Sequence, residues 1–507
     1  MKIRIPLAVD LHINKFYGAT ISEYDRGITN GVIERIGDRL YVTQRPSIDI
    51  FEDASATVSD KRGRAVYYWD ESGSLYFVNN NTVYKATYSS VIGTISTGTK
   101  KCHFLVLNST LVLLDQENNQ GWTINLSGML TEIIDTDFPT KQTPAIGLAY
   151  GGAVLDGYLF VLGENGVIYN SDLENPSSWT GTNFIDAERE PDGGAYLGKH
   201  HDHLVALGVR TIEFFYNAAN PVGSPLSRRQ DVAYNVGCVD GASVWEEGDR
   251  IFFIGSAYSG QLRAYVIENF SVRRISSPTV ESFISQAIVK DGYSVFGSGF
   301  TAQGHTYYII TLYNTPSDVS PEITLVYDLN TDKWHVWETS IGGLSRFPLI
   351  GWTIRTGVLP RYGEGIMVNG DLITINDDLN PIDSILGTVY VDDGYVSQGY
   401  VASSSNTNLQ IQFNVRTGQY DGGTDLVKFC SELRHISDQT SNSFDVSIRW
   451  ADEKSVSFSS PRNMDSSRYR KIRRAGRFRR RNFQVEYSGS DQIRLEAIEM
   501  NVEAGTK

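Results

Sequence analysis

The chain repeats one pattern along most of its length: short apolar segments of strand length, separated by turns of Gly, Asn, Asp and Ser. Units of this kind begin at Gly63, Lys101, Gly151, Ala195 and Ala242, and two further units begin at Gly304 and Phe347. They recur at intervals of about 40 to 55 residues, which is near the period of propeller blades and not of helical repeats. The pattern predicts an all-β protein with a β-propeller of six or seven irregular blades at residues 61–380.

The length of the chain predicts a second domain. A chain of 507 residues exceeds what one hydrophobic core usually serves. After about Pro381 apolar and polar residues alternate, as in Ile411, Phe413 and Val415, which is typical of antiparallel sheet with one wet face. We therefore predict a β-sandwich or barrel-like domain at 381–507. Residues 1–60 are expected to form an arm and first strands that join either domain, and an N-terminal strand could close the propeller.

Composition excludes several classes of protein. No apolar run approaches the roughly 20 residues that span a bilayer, and the first ten residues lack the apolar core of a signal peptide. We therefore expect no membrane anchor and synthesis in a cytoplasm. The three cysteines, Cys102, Cys238 and Cys430, lie far apart and without CxxC spacing, so they indicate buried free thiols.

The strongest charge feature is the segment at 468–481, called here the arginine segment, which has nine basic residues in fourteen. Ile472, Ala475 and Phe478 interrupt the basic residues, so we expect strands and not a disordered tail. The arginines suit phosphate or an acidic partner, or alternatively a solvated strand that pairs with nearby carboxylates. The candidate assembly-interface residues are Arg468, Arg470, Arg474, Arg477, Arg479, Arg480 and Arg481.

Charge is distributed unevenly between the two predicted domains. Residues 381–507 contain 17 Lys and Arg against 16 Asp and Glu, so the rest of the chain carries a net charge of −15. DNA affinity comes largely from basic residues that neutralise phosphates. The acidic body therefore argues against nonspecific DNA binding there, although DNA can pass nearby without adhering.

A few groups of residues could carry chemistry. They are His200, His201 and His203, the pair Glu188 and Glu190, and the pair Glu246 and Glu247. Neighbouring residues of a strand point to opposite faces, so the histidines favour a turn or strand edge over a metal site. The carboxylates favour a solvated face over glycosidase work, and no nucleophile elbow or phosphate loop is present. We predict no catalytic residue, no metal site and no cofactor.

Two hairpins and one long polar stretch carry recognisable turn chemistry. The sequence VYDLNTDKWHVWE is similar to a kelch-type outer hairpin, and NSDLENPSSWTG is loosely similar to the Asp-box of sialidase-type propellers. In both, an Asx-type turn satisfies the backbone while a Trp covers the blade edge. The polar stretch from Asp172 to Gly194 is too long for a hairpin loop. We interpret it as a structured connection between blades that sets blade geometry or a subunit contact.

Two blocks of the sequence resemble one known family. The run from Asn170 to Tyr216 looks like the centre of the packaged DNA stabilisation proteins, the tail hub or nozzle subunits of short-tailed bacteriophages. The matching positions are Asp172, Leu173, Glu174, Glu188, Pro191, Asp192, Gly193, Gly208, Thr211, Ile212, Glu213 and Phe215. A second match is the Arg-x-Gly-Arg-x-Arg sequence of Arg474, Gly476, Arg477 and Arg479. The resemblance covers about a third of the chain.

This resemblance implies a structural protein of the virion tail and not an enzyme. The resemblance implies a homo-hexameric ring. Its expected partners are the portal adaptor ring, tail fibres or tailspikes and, in some phages, a tail needle. Such a ring would extend the portal channel, retain packaged DNA and conduct double-stranded DNA at ejection without sequence-specific binding. The alternatives are a virion-associated propeller glycosidase and a receptor- or carbohydrate-binding tail module.

Overall fold

The structure is a computed structural model that describes part of the chain. The described residues are 2–11, 27–52, 63–85, 87–98, 100–187, 192–257, 260–290, 294–302, 304–313, 323–338, 349–351, 366–368, 371–376, 382–385, 407–453, 457–468, 471–489 and 491–505. Nearly all regular structure in these ranges is β-strand. No helix in them is long and apolar enough to cross a membrane.

Five strands precede the first repeated unit. They are β1 (Lys2–Pro6), β2 (Gly27–Thr29), β3 (Gly31–Ile36), β4 (Arg39–Gln44) and β5 (Ser47–Glu52). They do not form a sheet of their own. β3 pairs with β4, and β1, β2, β4 and β5 each pair with a strand from much later in the chain.

Three antiparallel sheets of four strands come next. Blade 1 contains β6 (Gly63–Trp69), β7 (Ser74–Asn79), β8 (Thr82–Lys85) and β9 (Thr87–Thr94). Blade 2 contains β10 (His103–Leu107), β11 (Thr110–Asp115), β12 (Gln120–Asn125) and β13 (Leu130–Glu132). The short β14 (Tyr150–Gly151) then precedes blade 3, which contains β15 (Ala153–Leu155), β16 (Tyr158–Leu162), β17 (Val167–Asp172) and β18 (Asn175–Asp186).

Blades 4 to 6 continue the same arrangement. Blade 4 contains β19 (Gly194–His200), β20 (His203–Gly208), β21 (Ile212–Asn217) and β22 (Leu226–Tyr234), and β14 adds to β19 in parallel. Blade 5 contains β23 (Val236–Cys238), β24 (Trp245–Glu247), β25 (Arg250–Ala257), β26 (Leu262–Glu268) and β27 (Ser271–Arg274). After helix α1 (Pro278–Ser285), blade 6 contains β28 (Ser294–Ala302), β29 (His305–Tyr313), β30 (Ile323–Asp328) and β31 (Lys333–Trp337).

The seventh sheet closes the ring with an N-terminal strand. It contains β32 (Leu349–Gly351), β33 (Ile366–Val368) and β34 (Asp371–Asn376), and β34 pairs antiparallel with β5. Strands β35 (Ile382–Ile385) and β36 (Thr407–Gln410) extend the same sheet beyond β5.

Contacts between neighbouring sheets run round a closed circle. The contacting pairs in order are β6 with β10, β10 with β15, β15 with β19, β19 with β25, β24 with β28, β28 with β32, and β32 with β6. Apolar clusters fill the spaces between successive sheets, for example between blades 3 and 4 around Phe160, Leu204 and Phe215. The predicted β-propeller is therefore confirmed, and the described residues form seven blades.

Tight turns explain why the strands of a blade follow one another so closely. Asn108 and Asp156 each take a left-handed backbone conformation, with φ of 50° and 48°, in two-residue turns that join β10 to β11 and β15 to β16. Asn and Asp tolerate this conformation better than other side chains, and such turns match the twist of a hairpin.

The polar stretch from Asp172 to Gly194 differs from its prediction as a connection between blades. Most of it is β18, a strand of twelve residues at the outer edge of blade 3. An edge strand faces solvent on most sides, so its apolar alternation is weak and its sequence resembles a loop. Trp179 is nevertheless 4% exposed and packs on Phe138 with 5.0 Å between ring centres.

The C-terminal strands form two facing sheets. They are β37 (Phe413–Arg416), β38 (Lys428–Ser437), β39 (Asp445–Asp452), β40 (Arg462–Asp465), β41 (Ile472–Arg473), β42 (Arg477–Phe478), β43 (Arg481–Tyr487) and β44 (Leu495–Ala504). One sheet has the order β3-β4-β44-β38-β41, with β1 on β44 and β42 on β38; the other continues from β2 through β37, β43 and β39 to β40. A single core that includes Phe413, Leu433, Val446 and Ile498 lies between them.

The propeller and the sandwich share one continuous sheet. Strand β2 pairs in parallel with β31 of blade 6 and antiparallel with β37 of the sandwich. Asn30 follows β2 and accepts hydrogen bonds from Arg45 Nε at 3.2 Å and from the Glu338 amide at 2.7 Å. Arg45 is 2% exposed and also donates to the Glu338 carbonyl. The N-terminal segment thus connects the two parts of the chain, and the domain division at residues 60 and 380 stays a prediction.

Candidate functional site

The arginine segment lies at the edge of a sandwich sheet. Strands β41 and β42 pair side by side with β38, and the short link between them includes Arg474 and Gly476 at positive φ. Ile472, Ala475 and Phe478 are buried in the sandwich core, as the sequence predicts. Most of the described basic residues between them are exposed along a short edge.

Several arginines of the segment are exposed and carry no ion pair. Among the described residues, Arg468, Arg473, Arg474 and Arg477 have no acidic partner within ion-pair distance. Lys471, in contrast, pairs with Glu432 at 2.7 Å. An exposed charge without a partner costs little and stabilises little, so these side chains are available to another molecule.

The next two arginines are held near one carboxylate. Arg479 Nη1 donates to the Asp425 carbonyl at 3.0 Å, and Arg480 Nη2 lies 3.3 Å from the Asp425 carboxylate. Asp425 itself is 76% exposed, so this is a surface pair of small energetic value. Arg470 lies outside the described residues.

Arg481 does not belong to this surface, and its inclusion among the interface candidates is corrected here. Its side chain is 0% exposed and binds Asp452 through two hydrogen bonds of 2.5 and 2.8 Å. It also donates to the Ala475 carbonyl at 2.7 Å and stacks on Phe478 with 4.2 Å to the ring centre. With these three hydrogen bonds, the buried guanidinium helps to hold the core of the sandwich together.

Two exposed apolar side chains adjoin the arginines, and the sequence analysis did not single them out. Phe429 is 49% exposed and pairs in register with Arg477 across β38 and β42. Leu426 is 41% exposed and follows Asp425 in the chain. Aromatic residues and arginines are enriched where proteins bind one another. We call the following set the arginine surface: Phe429, Leu426, Arg474, Arg477, Arg479 and Arg480.

The other candidate residues support hairpins. Asp172 ends β17 and accepts from the hydroxyls of Ser178 at 2.6 Å and Thr180 at 2.8 Å. Glu174 occupies the turn between β17 and β18 with φ of 58°. These contacts fit an Asx-type turn at the outer hairpin of blade 3.

Asp192 and Thr211 form a second anchor. The Asp192 carboxylate is 8% exposed and accepts from the Arg210 amide at 2.6 Å, the Thr211 amide at 2.8 Å and the Thr211 hydroxyl at 3.1 Å. The Gly193 carbonyl accepts from the Val209 amide. The corner that leads into blade 4 thereby holds the turn between β20 and β21.

Glu213 completes the set of matched residues inside the ring of blades. It is 1% exposed and lies 2.6 Å from Arg228 Nε on the neighbouring strand. Glu188 and Pro191 lie outside the described residues. The contacts of Asp172, Asp192 and Glu213 thus stabilise turns and strands of blades 3 and 4. That this block sets blade geometry or a subunit contact stays a prediction.

A buried ionic cluster at the centre of the ring was missed by the sequence analysis. Lys101 Nζ donates to the carbonyls of Val244 and Gly297, both at 3.0 Å, and so joins blade 2 to blades 5 and 6. Burial lowers the pKa of Lys101 to about 8. Burial raises the pKa of Glu246 to about 7, and its hydrogen bond to Tyr196 opposes the rise. These side chains therefore link blades 2, 4, 5 and 6 to one another.

The described histidines and carboxylates of these groups have structural contacts, and Glu188 and Glu190 lie outside the described residues. His200 is buried and its Nε2 accepts from the Phe270 amide at 3.0 Å, while His201 occupies a turn with φ of 52°. Within the described ranges, no group of three His, Cys, Asp or Glu side chains is placed to hold a metal ion. Glu246 hydrogen-bonds with Tyr196, and Glu247 accepts a hydrogen bond from the Thr301 hydroxyl. The two carboxylates therefore have separate structural partners.

Comparison with known proteins identifies the family. A sequence model of the family described as bacteriophage P22 Gp10, beta-propeller, matches residues 31–358. The chain belongs to this family. The P22 Gp10 family consists of structural phage tail proteins that stabilise packaged DNA. The resemblance inferred from the two sequence blocks is thereby confirmed.

Other comparisons add little to the family assignment. No curated protein matches this member of the P22 Gp10 family. Similar solved structures include a streptogramin B lyase, with 12% identity over 65% of this chain and 97% of that chain and a TM-score of 0.39. BamB from Moraxella catarrhalis has 9% identity over 66% of this chain and 98% of that chain, with a TM-score of 0.33. Likenesses this distant carry no conclusion about function.

Proposed function

We propose that the chain is the subunit of a hexameric tail hub or nozzle ring, which extends the portal and adaptor channel, retains packaged DNA and conducts it at ejection. Membership of a phage tail family supports the location in the virion tail. The assembly proposal rests on the arginine surface. There, Arg474 and Arg477 are exposed near Phe429 and form no ion pair with a described acidic residue. The chain carries a net charge of −14, so acidic surface is available for such arginines to bind.

A ring of identical subunits needs two different complementary patches on each subunit. In this proposal the arginine surface is one patch, and the acidic propeller of the neighbouring subunit, or the adaptor, supplies the other. Exposed arginines around an aromatic side chain would gain energy on burial against carboxylates, because charge-assisted hydrogen bonds strengthen as water leaves.

The acidic balance of the propeller suits the conduction of DNA. Phosphates that meet few basic residues release few counterions, so adhesion is weak and salt-insensitive. The proposed lumen is therefore acidic or mixed in charge. A lumen lined uniformly by Lys and Arg in an imaged ring would contradict this part of the proposal.

Charge reversal tests the assembly surface. We expect the double variant Arg474→Glu and Arg477→Glu to fold normally but to fail in ring formation or adaptor docking when mixed with the neighbouring tail components. The matched control is Arg35→Glu with Arg462→Glu, which makes the same charge change at two other exposed arginines. Electron microscopy and sedimentation distinguish the outcomes, and normal assembly of the first variant would refute the proposed interface.

A further inference from the structure

A groove between blades 3 and 4 is lined by polar side chains that have no role in the proposed function. It has a volume of about 350 Å³, which is at the small end of ligand sites. It lies between the outer hairpin of blade 3 and the loop that joins β21 to β22 in blade 4. The residues on which its chemistry depends are Tyr158, Asn170, Asp172, Asn183, Asn220 and Val222.

The three asparagines that line the groove all use their amide NH₂ groups internally. Asn170 donates to the Ser171 carbonyl at 2.9 Å, and Asn220 donates to the carbonyls of Ser224 and Leu226 at 3.2 and 2.9 Å. Asn183 donates to the Asp172 carboxylate at 3.4 Å. Each partner can only accept, so the orientation of all three amides follows from the chemistry. Their side-chain oxygens are left as acceptors for a ligand.

Asn170 shows that an acceptor is left unused. Its side chain is 1% exposed, and its Oδ1 is buried with no hydrogen-bond partner among the described residues. A buried polar atom without a partner costs free energy, typically about 1–3 kcal/mol for an unmade hydrogen bond.

The groove also carries uncompensated negative charge. Asp172 accepts hydrogen bonds from hydroxyl and amide groups but forms no ion pair with any described residue. No Lys, Arg or His lines the groove. The exposed carboxylates of Asp156 and Glu174 lie in the two hairpin turns beside it. The field at the groove therefore favours a cation.

The rim of the groove is apolar. Val222 is 85% exposed and Leu173 is 57% exposed, and both belong to the lining. The methylene stem of a long charged side chain packs well on such residues while its head reaches polar partners. A small hydrated ion would leave this apolar rim uncovered.

We propose that this acceptor groove binds an arginine side chain from a basic segment of a partner protein. A guanidinium has five N–H donors in a planar fork and no acceptor, which matches a groove that offers oxygens and negative charge. A neutral sugar both donates and accepts and would leave the charge of Asp172 uncompensated. This inference does not depend on ring formation, because it concerns the outer hairpins and not the arginine surface.

The first test compares two peptides that differ in charge alone. Titration of the full chain with acetyl-Gly-Arg-Gly-amide and with its citrulline counterpart, followed by saturation-transfer NMR, should show at least about fivefold tighter binding of the arginine peptide. The difference should shrink as salt is added. Equal binding of the two peptides would overturn the proposal, and so would displacement of the arginine peptide by calcium at matched ionic strength.

The second test blocks the groove with a substitution that cannot disturb the core. Val222→Arg places a cation over the groove from an exposed position and should abolish binding of the arginine peptide. Val289→Arg, at a valine that is 71% exposed on another element, is the matched control and should leave binding unchanged. Asp172→Asn should weaken binding about tenfold, the effect of one charge-assisted contact. Retained binding by Val222→Arg would refute the site, whatever Asp172→Asn does to the hairpin.

Discussion

Arginine serves opposite purposes in the propeller and at the edge of the sandwich. Arg64 joins blades 1 and 2 with 0% of its side chain exposed, and it donates to both oxygens of the buried Asp115 at 2.6 and 3.1 Å. Arg477 is exposed and forms no ion pair with any described acidic residue. Removal of one partner from a buried pair is costly, whereas an exposed charge contributes little to stability. Buried arginines therefore hold this fold together, and exposed ones are free for association.

The largest effect is expected inside the propeller. Arg64→Met should lower the free energy of unfolding by about 3–5 kcal/mol, because Asp115 would be left buried and unpaired. Denaturant unfolding measures the loss. The double variant Arg64→Met with Asp115→Leu should recover part of it, since the buried carboxylate is removed with its partner and only the partly exposed Glu117 loses an ion pair. A loss below about 1 kcal/mol in the single variant would mean that buried and exposed arginines contribute similarly to stability.

The second prediction makes the same comparison within the arginine segment. Arg481→Met should cost about 2–4 kcal/mol, because the buried Ala475 carbonyl and the partly buried Asp452 carboxylate lose their donor. Arg477→Met should change stability by less than about 0.5 kcal/mol. Thermal unfolding of the two variants side by side decides the point, and similar losses would contradict the distinction.

Acid should affect a buried base and not the exposed arginines. Burial lowers the pKa of His435 to about 4, and the side chain is 4% exposed. The unfolded chain binds this proton more tightly, so the stabilising contribution is complete above about pH 6.5 and is lost as the pH falls toward 4.

The measurement compares the wild-type chain with His435→Gln. Between about pH 7.5 and pH 5 the wild type should lose about 1–2 kcal/mol more of unfolding free energy than the variant. Any cost of the substitution itself is common to both pH values, so the difference isolates the titration. Parallel pH profiles would show that the imidazole is not excluded from water.

The smallest effect is a gain in stability. Arg474 has a left-handed backbone with φ of 59°, which glycine adopts without strain. Arg474→Gly should therefore raise the free energy of unfolding by about 0.5 kcal/mol. Arg477→Gly, in strand β42, is the control and should lower it by about 0.5–1 kcal/mol. A loss in both variants would indicate that the Arg474 side chain stabilises the edge of the sandwich.

Much of the fold could be predicted from local sequence. The recurrence of strands and turns indicated the propeller, and the alternation in Phe413 and Val415 indicated strands whose inward faces are 0% exposed. The edge strand β18 was not predicted, because a strand that packs on one side only carries a weak periodicity. Closure of the ring by β5 was an option that the sequence could not decide, because its partner β34 lies more than 300 residues later.

The candidate sites were less predictable than the fold. Sequence spacing located the arginine segment but could not separate Arg481, which is buried, from Arg479 and Arg480 beside it. Phe429 gave no signal, because a single Phe in a strand is usually turned inward. The acceptor groove is built from asparagines of two blades, and only their tertiary hydrogen bonds reveal which atoms remain free.

The sequence by itself determined the period of the strands, the family and the accumulation of positive charge near the C-terminus, because these depend on residues close together in the chain. Tertiary structure alone decided which charges are paired. Arg64 meets Asp115 across 51 residues, and Lys101 meets the carbonyl of Gly297 across 196. The energy of a charge depends on its solvent exposure and its partners, and both are set by how distant blades pack.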